Sequence, residues 1–430
     1  MTVQPSKRTL EFGSGLSGNL DPVRAAEQVC QNAERDLGSG PVDLAVLFCA
    51  NAHIQHATRI VEIIRARLDP TILIGASAGG LIGGASELED APGVSLLAAR
   101  MPGVQIHPFD QRDLLPFDDT TDRGLQRLGE GFGTAEDLVA CMIFVDPFSV
   151  PLVRLLPALN RARANTAPIF GAVASGATEP GGNALMLNGT VSDRGLVGVS
   201  FRGSLDVDTV ISQGCRPIGQ NFVVTRARNN LILELGGRPA LDVVQDTLSD
   251  LHDQTQDLLR KGGLLIGRVV DEYKERFGKD DYLIRNVVGA EESTGAIAWG
   301  DVIRVGQTVR MHVRDPQSAH DDLAMLLDAQ KLHDRPAGAL LFPCTSRGRS
   351  FFGRPHHDAA AVSRAFTPSP SAPELARGGQ AIEPVGGPFP MAGFFAAGEI
   401  GPVGDDSYLH GHTACVALFR EATEPSADQM

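Results

Sequence analysis

Basic residues are in deficit: 38 Lys and Arg stand against 52 Asp and Glu in 430 residues, a formal charge of -14. A field of that sign opposes a phosphate backbone, which excludes nucleic acid as an expected partner. Long apolar runs are also missing. The uncharged stretches 71–86 and 180–192 are interrupted by glycine and fall short of the roughly 20 apolar residues a membrane span needs. Lys7 and Arg8 near the start have no apolar run of signal-peptide length behind them. The expectation is a cytoplasmic protein with no membrane segment. Cysteine is sparse, and Cys30, Cys49, Cys141, Cys215, Cys344 and Cys415 include no C-x-x-C pair, so they read as reduced thiols, mostly small buried hydrophobes. No G-K-[ST] follows any glycine run, which removes a Walker loop.

What is present is alternation. Asp21 caps and Pro22 opens a helix whose apolar stripe is Ala26, Val29, Cys30, Ala33 and Leu37, and the apolar run 43–50 behind it reads as a strand. A second amphipathic helix spans about 53–68, followed by a strand at 71–74, a glycine-rich turn at 75–84 and a strand at 94–99. The unit returns at an offset close to 96 residues, with strands at 137–145 and 196–201 and the turn Gly171 to Gly176. The acidic stretch 110–122 reads as the linker between these copies. A weaker third copy has a strand at 339–342, a helix at 358–366, the turn Gly393 to Gly398 and a last strand at 413–419. Between the second and third copies the pattern predicts a helix at 239–260, strands at 264–270, 282–288 and 308–313, and a helix at 318–333. The expected fold is therefore α/β, with mixed sheets, internally duplicated strand-helix-strand units and a smaller strand-rich insert. Residues 367–390, rich in Pro, Ser and Gly, and the tail after Arg420 are expected to be mobile.

The three turns share G-x-x-A-x-G: Gly75, Ala78, Gly80; Gly171, Ala174, Gly176; Gly393, Ala396, Gly398. Small residues at strand ends admit either a neighbouring backbone or a ligand, and both readings fit. The first turn also spells Gly75-Ala76-Ser77-Ala78-Gly79, a literal G-x-S-x-G. A nucleophile elbow needs a helix behind its serine, and Gly79, Gly80, Gly83 and Gly84 each weigh against one by about 1 kcal/mol. The other copies carry Val173 and Phe395 at the place of Ser77. Serine hydrolysis at Ser77 is accordingly the least favoured alternative, and no catalytic residue is assigned: the expectation is a binder, not an enzyme.

Polar groups that can converge gather late in the chain: Cys344, Arg347, Arg349, His356, His357, Asp358, Glu399, His410 and His412. Arg347 and Arg349 follow a strand, Glu399 lies in the third turn, and His410 precedes the last strand. Ligand sites in α/β folds favour such strand ends. A guanidinium fork receives a carboxylate and Glu399 receives an ammonium, a pairing suited to a zwitterion, while an internal Arg–Glu salt bridge is the alternative. His356-His357 and His410-x-His412 are weaker metal candidates.

These segments, taken in order, resemble the FIST sensory domains. The resemblance rests on Ile74-Gly75-Ala76-Ser77-Ala78-Gly79-Gly80-Leu81-Ile82-Gly83-Gly84 with Val94-Ser95-Leu96-Leu97-Ala98, then on Ser346-Arg347-Gly348-Arg349, His357-Asp358, Gly393-Phe394-Phe395-Ala396-Ala397-Gly398-Glu399 and Leu409-His410-Gly411. It implies an internally duplicated FIST N part at 9–203, a FIST C part at 214–421 and a disordered tail at 422–430. It also implies a small-ligand sensory role in intracellular signal transduction, with amino acids as the proposed ligand and a separate signalling protein as output partner. No cofactor is expected. Some FIST-containing proteins are described as haem-based gas sensors, but that ligand maps onto no histidine here. The expected ligand site is Arg347, Arg349, Glu399 and His410 with Gly75, Ser77, Gly79, Gly80 and Gly398. A protein-interaction scaffold is the alternative from another class.

Overall fold

In the first repeat β1 (Glu11–Ser17) leads to α1 (Pro22–Leu37), where Asp21 Oδ1 accepts the Val23 N–H at 2.9 Å and the expected stripe is buried. The computed structural model describes residues 9–37, 40–368 and 389–422. β2 (Leu44–Ala50), α2 (Ala57–Leu68) and β3 (Ile72–Ala78) follow, then a hairpin of β4 (Gly80–Gly83) and β5 (Ser86–Glu89), then β6 (Val94–Arg100). The second repeat has the same order: β7 (Val104–Asp110), α3 (Asp122–Gly131), β8 (Leu138–Val145), α4 (Leu152–Ala162), β9 (Ile169–Val173), the hairpin β10 (Leu185–Leu187) and β11 (Thr190–Ser192), and β12 (Leu196–Gly203). The acidic segment 110–122 is therefore not the linker between the copies: it lies inside the second repeat, between β7, which ends at Asp110, and α3, which starts at Asp122, and the copies join between Arg100 and Val104. Thr121 caps α3 by accepting the Gly124 N–H, a local bond that the run of acidic residues obscured.

The third repeat starts at β13 (Asp206–Gln213) and is interrupted. The insert carries β14 (Cys215–Arg228), β15 (Leu231–Leu235), β16 (Arg238–Pro239), α5 (Ala240–Ser249), α6 (Asp253–Gly262), β17 (Leu264–Val269), β18 (Tyr282–Glu291), β19 (Ala296–Trp299) and β20 (Thr308–Arg314). The single helix expected at 239–260 is two, because His252 takes an extended conformation (φ -66°, ψ 152°) and opens a new helix. After α7 (Pro316–Gln330) the repeat resumes with β21 (Gly338–Pro343), α8 (Arg349–Phe352), α9 (His357–Phe366), β22 (Met391–Phe394), the hairpin β23 (Gly398–Val403) and β24 (Asp406–His410), and β25 (Thr413–Arg420). The mobile segments expected at 367–390 and after Arg420 lie mostly outside the described residues.

By packing, the chain forms two units, one of 1–211, 326–409 and 414–430 and one of 212–325 and 410–413. In the first unit each repeat builds the core of one sheet and lends its hairpin to another. The sheets run β1-β6-β2-β3-β10-β11, β7-β12-β8-β9-β23-β24 and β13-β25-β21-β22-β4-β5. The exchange is cyclic, so no repeat completes its own sheet. Apolar side chains from all three sheets share one core, in which Phe48, Phe144 and Phe342, at the same place in β2, β8 and β21, meet edge-on with centroids 5.3, 5.7 and 6.0 Å apart.

In the second unit β14, β20, β17, β18, β19 and β15 close into a six-stranded barrel through the β14–β15 pairing, with β16 added to β15. Closure leaves the barrel strands no free edge. Trp299, the only tryptophan in the sequence, is fully buried in the barrel core and donates its Nε1–H to the Ile266 carbonyl at 2.9 Å. Two histidines here are held neutral. Burial pushes His312 down to about 4 and, aided by Arg314 and Arg285, does the same to His412. Because the folded form binds a proton less readily than the unfolded chain, stability is lost as pH falls from the ordinary 6.5 through about 4. Urea unfolding followed by Trp299 fluorescence should lose about 2 kcal/mol per histidine between about pH 7 and about pH 5. His312→Gln with His412→Asn should flatten that dependence, and an unchanged slope in the double variant contradicts the assignment.

Candidate functional site

Each turn begins where backbone meets backbone. Gly75, Gly171 and Gly393 pair in parallel with Leu47, Ile143 and Leu341, the residues preceding the three phenylalanines. A Cβ on these glycines would stand 1.9, 2.0 and 1.9 Å from the paired carbonyl oxygens. The first glycine of the motif is a close-approach residue.

The second half of the motif joins the turns to one another. Ser77 fills the space left by Gly176, and Phe395 fills that left by Gly80, where a Cβ would come within 2.6 and 2.9 Å, while Val173 pairs with Gly398. Backbone bonds close the cycle: Ser175 N–H to Ser77 O at 3.3 Å, Ala397 N–H to Val173 O at 3.1 Å and Phe395 N–H to Gly80 O at 3.0 Å. The Ser175 hydroxyl accepts the Gly79 N–H at 3.0 Å and donates to the Phe395 carbonyl, so it touches all three turns. Gly79 and Ser175 are half-buried and Ala397 is exposed, while their neighbours in the motif are buried. Ser175 was not among the expected site residues; its place in the second turn, where the first has Gly79 and the third Ala397, was the available signal.

Ser77 is not a nucleophile elbow. It is fully buried, accepts the Ala184 N–H at 2.9 Å and donates to Asn183 Oδ1 at 3.3 Å. Asn183 in turn donates to Asp146 Oδ1 at 2.9 Å. An amide separates the hydroxyl from the carboxylate, and an amide cannot take up the proton as a base does.

The late cluster forms around the loop after β21. Cys344 bridges to Ala396 in the third turn, and the Thr345 N–H donates to the Ala396 carbonyl at 2.8 Å. Arg347, only 1% exposed, turns its fork onto Asp358, with Nε–Oδ2 at 2.7 Å and Nη2–Oδ1 at 2.9 Å. Its third nitrogen, Nη1, is buried with no hydrogen-bond partner among the described residues. The Phe352 ring lies 5.1 Å from the guanidinium carbon and stacks on His357 at 3.5 Å. Burial opposes the charge on Asp358, but Arg347 and the His357 hydrogen bond prevail and hold its carboxyl at about 2. Burial likewise opposes the guanidinium charge, and Asp358, with Glu399 adding to it, keeps Arg347 above its ordinary range.

Glu399 is fully buried and pairs with Ala172, the residue after the first glycine of the second turn. The equivalent positions in the other hairpins are Leu81, paired with Phe394, and Leu185, paired with Ala76, and both leucines face the common core. Glu399 therefore puts a carboxylate where two repeats put a leucine. Of the expected site residues, Arg347 and Glu399 come together beside Gly80, Gly398 and the third turn. Arg349 is exposed and its N–H reaches Glu89 on β5 at 2.9 Å. His410 groups with the second unit. Among the described residues no group of three or more His, Cys, Asp or Glu is placed to hold a metal ion. No described helix is long and apolar enough to cross a membrane.

The FIST N domain model matches residues 43–238 and the FIST C domain model residues 240–402. An uncharacterized protein of Mycobacterium tuberculosis is 38% identical over 413 residues, covering 95% of this chain and all of that protein. An uncharacterized protein of Mycobacterium bovis is 36% identical over 418 residues, covering 96% and 100%. Two solved structures of cyanuric acid hydrolase, one of them from A. caulinodans, cover 96% of this chain and 100% of their own. These neighbours are enzymes, and they overturn the expectation that the chain is no enzyme. With TM-scores of 0.27 and 0.29 and identities of 9% and 11%, the likeness transfers no reaction and no residue role.

Proposed function

Because the chain belongs to the FIST family, with FIST N and FIST C domains in one polypeptide, we propose that it senses a small ligand, an amino acid or a close analogue, where its three glycine turns meet. FIST domains are described as small-ligand sensory domains of signal transduction. The observation that carries this reading is the meeting of the turns, with Gly79, Ser175 and Ala397 accessible at the carboxyl ends of β3, β9 and β22 and a buried Arg347–Asp358–Glu399 charge cluster beside the third turn. Strand ends of this kind are the usual place for ligands in α/β sheets. The bidentate bond to Asp358 shifts the role of Arg347 from ligand fork to support for the third turn. A ligand-induced change at these turns would reach all three sheets through the exchanged hairpins and pass to a separate signalling protein. We place the protein in the cytoplasm, in keeping with six buried cysteines that form no disulfide.

Isothermal titration with an amino-acid panel tests the reading, using the wild type and Ala397→Trp, which fills an exposed position without touching the core. Binding to the wild type and at least a tenfold weaker affinity in the variant, with the melting temperature unchanged, is the expected result. No heat from any member of the panel rejects an amino-acid ligand, and equal affinity in the variant rejects the site.

A further inference from the structure

The β4–β5 hairpin, lent by the first repeat to the third sheet, grips the loop that carries Arg347. Three bonds make the grip: Glu87 N–H to His356 Nδ1 at 2.9 Å, Ala359 N–H to Glu87 Oε1 at 3.0 Å, and Arg349 N–H to Glu89 Oε1 at 2.9 Å. Glu87 is the central residue of that grip. It is only 4% exposed, and its second oxygen, Oε2, is buried without a hydrogen-bond partner among the described residues. Glu89 acts on it from its own strand and Asp358 from the start of α9, where His356 accepts the Glu87 N–H; His357 and Arg347 are engaged with Asp358. The paired strand β4, Gly-Leu-Ile-Gly, offers no ionisable group.

We propose that Glu87 is a proton-binding site, and that its proton occupancy sets how firmly the β4–β5 hairpin holds the 347–359 segment. A neutral carboxyl with one oxygen outside these bonds is far cheaper to bury than a carboxylate beside Asp358 and Glu89, and the backbone N–H groups of Ala359 and Asp358 at the start of α9 offset that cost only in part. Burial first, then Asp358 and Glu89, push the Glu87 carboxyl up to about 7. The sign follows. The folded site holds its proton where an opened, hydrated one has released it, so the closed contact between the Glu87 carboxyl and the Ala359 N–H is favoured in mild acid and loses that support as pH rises from about 4.5 towards about 7. The inference does not depend on the ligand or on the site proposed above. It makes the loop next to the third turn responsive to pH.

Native-state hydrogen exchange of the Ala359 amide reads the grip directly, once the intrinsic base dependence of exchange is divided out. In the wild type the opening constant should rise on the order of 50-fold between about pH 5 and about pH 8. Glu87→Gln, which keeps the acceptor for Ala359 and cannot ionise, should show a flat profile, and Glu89→Gln should retain most of the wild-type rise. A rise that persists in Glu87→Gln assigns the proton to another group and overturns the proposal. Should Glu87→Gln fail to fold, a wild-type opening constant that does not change across this range overturns it equally.

Discussion

Gly393→Ala, Gly75→Ala and Gly171→Ala are each expected to lose soluble folded protein, or to unfold at least about 4 kcal/mol more easily than the parent. The new methyl group would lie about 2 Å from a carbonyl oxygen of the paired strand, so no rotamer relieves the clash and β3, β9 or β22 must move away from its neighbour. Moving that strand disturbs the phenylalanine next to the carbonyl and with it a core shared by three sheets. Gly171 carries an added penalty, because its φ of 140° is one that L-residues rarely adopt. Gly189→Ala is the control: an added Cβ there meets nothing within 4 Å, and its effect should stay within about 0.5 kcal/mol. Chemical denaturation of the four variants decides. If the three motif variants unfold at the parent's midpoint, the first glycine is not a packing device.

The second large effect is expected at Arg347. Arg347→Ala leaves the Asp358 carboxylate buried with only His357 beside it, and Asp358→Asn takes the bidentate counter-charge from a buried guanidinium and leaves it only the more distant field of Glu399; each should cost about 3–5 kcal/mol. The double variant Arg347→Met, Asp358→Leu should be more stable than either single one, which a double-mutant cycle measures as a coupling energy. A ligand fork would behave differently: Arg347→Ala would lose binding and keep its stability. The pair should also resist acid. Asp358 titrates below its ordinary value, so its contribution is complete above pH 3.8 and is lost only as pH falls through about 2. Acid unfolding of the wild type in the first unit should therefore not begin at this pair.

Much of the fold could be read from local pattern. The stripe Ala26 to Leu37, the apolar runs of β2 and β8 and the spacing of the three turns depend on residues a few positions apart, and periodicity reports such neighbours faithfully. The barrel was legible only as a strand-rich insert. Its first strand, β14, was missed because its burial follows no clean alternation over 14 residues. The candidate site was legible in part: Arg347 and Glu399 are buried together, as their positions at strand ends suggested. The partner of Arg347 was not, since Asp358 and Glu399 are both carboxylates within reach of the same sheet edge in the sequence pattern.

Glu87 was invisible to sequence reasoning. In Ser-Glu-Leu-Glu two acidic residues alternate along a short edge strand, which ordinarily means a solvated face. What buries Glu87 is a segment that begins 269 residues later, brought there because the hairpin completes another repeat's sheet. The sequence by itself determined the repeat, its helices and strands and the glycine turns, because each is a property of neighbouring residues. Only the tertiary structure decided that the turns meet, that Ser77 is sealed behind Asn183, that Arg347 answers Asp358 and that Glu87 is enclosed. Each of these depends on which repeat receives which hairpin, and that choice is made by burial of surfaces hundreds of residues apart, which no local pattern encodes.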